Sequence, residues 1–118
     1  MNGDARPDAS QPGGGRNPPV AIFAALGDPA RQRLLELLGT AGEATATTLA
    51  EPLGMTRQAV AKHLEVLKAS GLVESRRSGK QVLFSVRREP LDQTAAWLAS
   101  AAQMWDTQLA AIKRAAEQ

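Results

Sequence analysis

The sequence predicts a mainly helical domain that carries one small β-hairpin. Apolar residues recur at helical spacing in four segments between positions 20 and 71, and again in a long C-terminal segment. Between these helices the spacing changes to two, because Val82, Phe84 and Val86 occupy every second position. A chain of 118 residues is long enough for one compact domain and too short for two.

Residues 1–19 are predicted to be a disordered leader, and residues 20–118 the folded domain. The leader, MNGDARPDASQPGGGRNPP, is rich in Gly, Pro, Asp and Asn and has almost nothing to bury. Its three consecutive glycines are not a phosphate-binding loop, because no Gly-Lys-Ser/Thr follows them.

The composition excludes several classes of function. The chain has no cysteine, which excludes disulfides, thiolate metal ligands and thiol nucleophiles. No apolar run reaches the roughly 18 residues of a membrane-spanning helix, and residues 1–19 lack the apolar stretch of a secretory signal. We therefore expect a cytoplasmic protein that does not contact a membrane.

The first two helices are predicted before position 40. The segment VAIFAAL reads as a short apolar helix from Val20. The next helix has Asp28 as its N-cap and Pro29 at its first position, where a missing N–H costs nothing. Gly39 is predicted to end it. Its buried stripe is predicted to contain Leu34, Leu35, Leu37 and Leu38.

A third, short helix is predicted within TATTLAEPLG. Thr45 is the expected cap, Leu49 and Leu53 are the expected buried residues, and Pro52 should shorten or bend the last turn.

The fourth helix has two distinct faces. It is capped by Thr56 and ends at Gly71, and the spacing of Val60, Leu64 and Leu67 turns all three inward. Its other face displays Arg57, Gln58, Ala61 and Lys62. Two short helices joined by a tight turn and followed by a basic hairpin form a winged helix-turn-helix. The hairpin is predicted to turn at Ser78-Gly79.

Basic residues are concentrated near this helix and hairpin. The segment from Arg57 to Arg88 has eight basic side chains and two acidic ones, a net charge of +6, whereas the whole chain carries +2. A local excess of this kind is typical of a surface that binds a polyanion, although an ordinary solvated basic face has the same composition.

Double-stranded DNA is the polyanion that the pattern favours. Arg and Gln side chains match the edges of guanine and adenine in the major groove, and a small Ala61 permits close approach. The predicted contacts on the fourth helix are Thr56, Arg57, Gln58, Ala61, Lys62 and His63. Those on the hairpin, the wing, are Arg76, Arg77, Ser78, Gly79 and Lys80.

The last helix has more apolar surface than one small domain can cover. Leu91, Leu98, Trp105 and Ile112 recur every seven residues. A second copy of the chain would bury the surplus, so we expect dimerisation through the terminal helices. The predicted interface residues are Ile22, Phe23, Leu98, Trp105, Leu109 and Ile112. The alternative is a ligand cavity lined by Trp97 and Trp105.

Catalysis and metal binding find no support in the sequence. The serines have no histidine partner with an orienting acid, and no two carboxylates fall in a catalytic motif. A lone histidine, His63, without any cysteine makes a poor transition-metal site. The other interpretations of His63 are a pH switch, or a helix residue that packs beside the turn or contacts a phosphate. No enzyme, metal or cofactor is expected.

Three stretches resemble the ArsR family of winged-helix repressors. They are FAALGDPARQRLLELL, LAEPLGMTRQAVAKHLEVLKASGLV and PLDQTAAWLASAAQMWDTQL, and the resemblance extends from Ile22 to Ala115. It implies a homodimeric transcriptional repressor that binds an imperfect palindrome and often represses its own operon.

The metal-sensing positions of that family are not retained. Well-known members use a Cys-x-Cys pair in the third helix, or histidine and carboxylate ligands in the last helix. Here the third helix has no cysteine, and the last helix has Asp92 and Asp106 but no histidine. The sequence instead resembles a metal-independent branch, with Trp97-Leu98 and Trp105 in the last helix.

The sequence therefore predicts a DNA-binding regulator, a homodimeric repressor of its own or a neighbouring operon. One alternative is the same fold responding to a small molecule, of unknown identity, at the dimer interface. Another is a protein-interaction module that has lost DNA binding, which would have no reason to keep Arg57, Gln58 and Lys62 beside a basic wing.

Overall fold

The computed structural model describes residues 19–117. Its elements, in chain order, are α1 (Val20–Leu26), α2 (Pro29–Ala41), α3 (Ala46–Leu53), α4 (Arg57–Ala69), β1 (Val73–Ser78), β2 (Gln81–Val86) and α5 (Arg88–Ala116). The predicted fold class, mainly α with one antiparallel hairpin, is confirmed. The described chain divides into two compact units, Val20–Leu91 and residues 92–117.

The first unit has one hydrophobic core built mainly from leucine and valine. Leu34 and Leu38 of α2 and Leu64 and Leu67 of α4 have no solvent exposure, as predicted. Leu35 and Leu37 were assigned to the same stripe but are only partly buried against this core. The fully buried set also includes Val60, Leu72 and Val73. The core thus holds α4 against α2 and the start of the hairpin.

Helix α2 begins as predicted and ends three residues later than predicted. The carboxylate of Asp28 accepts hydrogen bonds from the backbone N–H groups of Ala30 and Arg31, at 2.7 and 3.4 Å. The helix continues through Gly39, because Gly42 is the residue that adopts a positive φ, of 84°. The Gly42 N–H donates to the Leu38 carbonyl at 2.8 Å and closes the helix.

Both predicted caps of the helix-turn-helix are present. The Thr45 hydroxyl accepts from the Thr48 N–H at the start of α3, and the Thr56 hydroxyl accepts from the Ala59 N–H at the start of α4, both at 3.1 Å. Each cap satisfies an N–H that the first turn leaves without a partner. Leu53, predicted to be buried, is only partly so.

The hairpin pairs Val73 with Val86 at its base and Ser78 with Gln81 at its tip. The turn is therefore Gly79-Lys80, and the prediction of a turn at Ser78-Gly79 was wrong by one residue. Gly79 has a φ of 64°, which a two-residue hairpin loop with glycine first requires. A further β-bridge joins Ala44 to Phe84, and no local pattern in the sequence had indicated it.

Helix α5 begins at Arg88, so Pro90 lies in its first turn. The first turn of a helix has no intrahelical acceptors for its N–H groups, so Pro90 is tolerated there. Every residue from 101 to 117 is exposed, including Trp105 at 59% and Ile112 at 62%. No helix within residues 19–117 has the length and apolar character needed to cross a membrane.

The two predicted dimer residues of α1 differ in their surroundings. Ile22 is 9% exposed and belongs to the core of its own chain, so its assignment to an intermolecular surface is corrected. It was misassigned because a short apolar helix does not reveal from sequence which side packs inward. Phe23 is 36% exposed.

Candidate nucleic-acid interface

The outer face of α4 carries polar side chains that point away from the core. Arg57, Gln58 and Lys62 are exposed, and Ala61 is partly exposed. The buried residues of the helix are Val60, Leu64 and Leu67. At 100° per residue, Gln58 and Lys62 lie opposite this buried set and Ala61 lies at its margin. Arg57 lies only about 20° from Leu64 around the helix, and it is exposed because it lies in the first turn, seven residues before Leu64. Packing of the inner face therefore fixes the direction in which the outer face is presented.

A groove runs between this helix, the start of α3 and the wing. It has a volume of about 590 Å³. Arg57, Ala61 and Glu65 line it from α4, and Lys80, Gln81 and Val82 line it from the wing. The remaining lining residues are Thr45, Ala46, Thr47, Thr48 and Phe84. The structure thus brings part of the predicted helix site and part of the predicted wing site to one concave surface.

The wing supplies two exposed cations that have no ion-pair partner among residues 19–117. These are Arg77, near the end of β1, and Lys80, in the turn. Arg57 and Lys62 on α4 are likewise outside every ion pair of the described chain. A cation without an internal partner keeps its full charge available to an external anion.

Arg76, predicted as a third DNA-contacting cation of the wing, is engaged within the protein. Its guanidinium forms a bidentate pair with Glu43, with donor–acceptor distances of 2.7 and 2.8 Å. The hydrogen bond from Arg76 lowers the pKa of the Glu43 carboxyl, and the same bond raises the pKa of Arg76. The pair joins β1 to the segment between α2 and α3, so its charge is already balanced.

His63 also has a partner inside the protein. Its ring is partly buried, and its Nδ1 accepts a hydrogen bond from Nη1 of Arg31 at 3.3 Å. Nε of the same guanidinium donates to the Ala25 carbonyl at 2.6 Å. The sequence grouped His63 with the DNA-contacting residues, whereas this contact places its ring at the junction of α1, α2 and α4.

Asp28 completes that junction. The pKa of its carboxyl is lowered, first by the hydrogen bond from the Ala30 N–H, then by that from the Arg31 N–H and by the charge of the Arg31 guanidinium. The Arg31 guanidinium lies 3.8 Å from the carboxylate. One arginine thereby links the end of α1, the cap of α2 and the side of α4.

Two acidic residues that sequence reasoning passed over lie at this surface. Glu43 holds Arg76, and Glu65 lines the groove beside Arg57. The Glu65 position had a signal, since it lies four residues after Ala61, on the same face of the helix. Glu43 had none, because its partner is 33 residues away in the chain. No group of three or more His, Cys, Asp or Glu residues that could hold a metal ion is present within residues 19–117.

Comparison with known proteins gives the same fold and a family. Residues 26–76 match the family model described as a helix-turn-helix domain. The uncharacterized HTH-type transcriptional regulator YuzN of Bacillus subtilis is 44% identical over 60% of this chain and 84% of its own. The transcriptional repressor SdpR of the same organism is 29% identical over 65% of this chain and 84% of its own.

Solved structures extend the similarity to most of the chain. An ArsR-like transcriptional regulator from Rhodococcus sp. RHA1 superimposes with a TM-score of 0.75 and 42% identity, covering 83% of this chain and 92% of that one. The homodimeric winged helix-turn-helix DNA-binding domain of Mb0332 from Mycobacterium bovis gives a TM-score of 0.56 and 28% identity, with coverage of 76% and 80%. From its fold, its capped helix-turn-helix and these relatives, the chain belongs to the ArsR-like family of winged helix-turn-helix transcriptional regulators.

Proposed function

We propose that this protein is a homodimeric repressor that binds an imperfect palindrome in the promoter of its own or a neighbouring operon. The observation that carries the proposal is the outer face of α4, where Arg57, Gln58 and Lys62 are exposed beside a groove shared with the wing. Relatives named as transcriptional regulators and as a repressor support the same function.

Base recognition is assigned to the first turns of α4. The fork of Arg57 matches O6 and N7 of guanine, and the amide of Gln58 matches N6 and N7 of adenine. Both follow the Thr56 cap directly, so the positive end of the helix approaches the DNA with them. Lys62 lies one turn further along the helix, and its positive charge can contact a phosphate or a guanine.

Binding to the phosphate backbone of the DNA is assigned to the wing. Lys80 sits in the turn and Arg77 pairs across the hairpin with Val82, close to that turn. Both are exposed cations, and neither Ser78 nor Gly79 adds a bulky side chain to the tip. Contacts of this kind position a protein on the duplex and carry little sequence information.

Dimerisation is assigned to α5. Leu98, Trp105, Leu109 and Ile112 are each at least 45% exposed in the single chain. Large apolar side chains exposed along one helix favour burial against a second copy. The homodimeric neighbour from Mycobacterium bovis supports this arrangement. Two-fold symmetry would present two copies of α4 to successive major grooves, roughly 34–36 Å apart.

A metal-independent mode of action is part of this proposal, and the ligand types that the sequence contains support it. The chain has no cysteine and one histidine, and the Nδ1 of that histidine accepts a hydrogen bond from Arg31. Soft-metal sites require thiolates or several imidazoles. Repression would then depend on occupancy of the operator by the dimer.

The proposal is tested by selecting bound sequences from random double-stranded DNA at a stated salt concentration. The expected result is an enriched site with approximate two-fold symmetry and half-sites about 10–10.5 base pairs, or a multiple of that, between centres. An output without any enriched motif would contradict sequence-specific binding. Enrichment of isolated half-sites would contradict the dimeric reading.

A further inference from the structure

Glu65 stands out on the surface assigned to DNA, because among residues 19–117 it is the one acidic side chain that lines the groove between α4 and the wing. The other charged residues lining the groove are Arg57 and Lys80. Glu65 is eight residues after Arg57, which places it about 80° around the helix and about 12 Å along its axis. Glu65 is exposed and follows Ala61 by four residues, about 40° around the helix, so it belongs to the outer face and not to the side that packs on the core.

This carboxylate has no partner inside the described protein. Seven acidic residues lie between Val20 and Leu91, and five of them form ion pairs within 4 Å: Asp28, Glu36, Glu43, Glu74 and Glu89. Glu51 and Glu65 do not, and of these two only Glu65 lines the groove. Its carboxylate is thus not engaged in an ion pair within the described residues.

A carboxylate outside any ion pair weakens binding to phosphate, so its position on a DNA-binding surface calls for a compensating contact. A carboxylate accepts hydrogen bonds and donates none. In the major groove it can accept from the exocyclic N4 amino group of cytosine, and it is repelled by the acceptors O6 and N7 of guanine, O4 of thymine, and the N7 that lies beside the N6 amino group of adenine. The side chain can therefore discriminate between bases while lowering affinity for DNA in general.

We propose that Glu65 is a specificity-determining residue that selects cytosine in each half-site and disfavours binding to other sequences. The inference rests on the proposed function, since it requires α4 to lie in the major groove. The selected cytosine is at a base pair other than the one read by Arg57. The 12 Å separation along the helix corresponds to at most three or four base pairs at 3.4 Å each.

Two substitutions separate this role from a general effect of charge. Glu65→Ala removes both the charge and the acceptor. Glu65→Gln keeps the length of the side chain, and its amide pairs with N6 and N7 of adenine. Glu117→Ala is the matched control, because it removes one negative charge at the C-terminal end of the described chain. Glu65 is exposed, so all three variants should fold, which circular dichroism verifies.

The experiment repeats the selection from random DNA with the wild-type chain and the three variants, and measures Kd for the selected operator and for an unrelated duplex. Glu65→Ala is expected to bind the unrelated duplex about three- to tenfold more tightly at low salt. It should also lose a preference for cytosine of about fivefold or more at one base pair of each half-site. Glu65→Gln should shift that preference from cytosine to adenine.

The possible failures can be distinguished. If the wild-type chain enriches a motif and both Glu65 variants enrich the identical motif, the inference about Glu65 is wrong and the proposed function stands. A uniform loss of affinity for all duplexes in Glu65→Ala would also overturn it, because that result indicates a structural role. If the wild-type chain enriches nothing, both the proposed function and this inference are wrong.

Discussion

The guanidinium of Arg76 donates two hydrogen bonds to the carboxylate of Glu43, from Nε to Oε2 at 2.7 Å and from Nη2 to Oε1 at 2.8 Å. The adjacent residue, Ala44, forms the β-bridge to Phe84 in the second strand of the wing. Both strands are thus tied to the segment between α2 and α3. We infer that Arg76 orients the wing, because a bidentate pair fixes geometry as well as charge.

Glu43→Gln should reduce thermal stability in a pH-dependent way. The pKa of Glu43 is lowered by the hydrogen bond from Arg76. The stabilisation that ionised Glu43 provides is therefore fully present above its pKa in the unfolded state, about 4.3. It is lost as the pH falls through the lower pKa of the folded state. The Tm of the variant should lie below that of the wild type at pH 7, and the difference should narrow in acid. A difference in Tm between wild type and variant that is the same at pH 7 and at acidic pH would contradict this role of Glu43.

Lys80→Ala should weaken binding to all duplexes by a similar factor and reduce the slope of log Kd against log salt by about one. The expected reason is loss of one phosphate contact from the turn of the wing. The double variant Glu43→Gln with Arg76→Gln leaves net charge unchanged, and it should leave that slope nearly unchanged. A slope reduced equally by both variants would show that Arg76, like Lys80, contacts phosphate.

Leu64→Ala should destabilise the fold by about 2–5 kcal/mol, because the side chain is fully buried and its removal leaves a cavity. Val66→Ala is the matched control on the same helix. Val66 is 42% exposed, and its truncation should change the free energy of unfolding by less than about 0.5 kcal/mol. Urea denaturation monitored by circular dichroism measures both. Equal losses would contradict the assignment of the inner face of α4.

The features that the sequence predicted well are those encoded locally. Asp28-Pro29 and Thr56 mark helix starts through side chains that bond to N–H groups two or three residues away. The alternation of Val82, Phe84 and Val86 predicted the second strand of the hairpin, because the two-residue period of a strand is also a local feature of the sequence.

The features that it missed depend on contacts between distant segments. Gly39 and Gly42 are both plausible helix ends, and only the observed φ of Gly42 decides between them. The Arg76–Glu43 pair, the Ala44–Phe84 bridge and the burial of Ile22 require the tertiary fold. The engagement of Arg76 within the protein could therefore not be predicted, whereas the exposed positions Gln58 and Lys62 of α4 follow from its helical period.

Trp105→Asp should abolish dimerisation. Trp105 is 59% exposed in the single chain, and the proposed interface would bury it, so a charge there would be left without solvent or a partner. Sedimentation velocity at micromolar concentration should give a dimer for the wild type and a monomer for the variant, with loss of tight palindrome binding. A wild-type monomer that binds full palindromes tightly would contradict the role assigned to α5.

The most direct test of base reading by α4 is the ratio of operator affinity to nonspecific affinity in Arg57→Ala. Binding is measured to the selected operator and to an unrelated duplex at the same salt concentration. The account predicts a loss of about 1–3 kcal/mol for the operator, a smaller loss for the unrelated duplex, and a relaxed preference at one base pair of each half-site. Equal losses for both duplexes would contradict it, because Arg57 would then contact only phosphate.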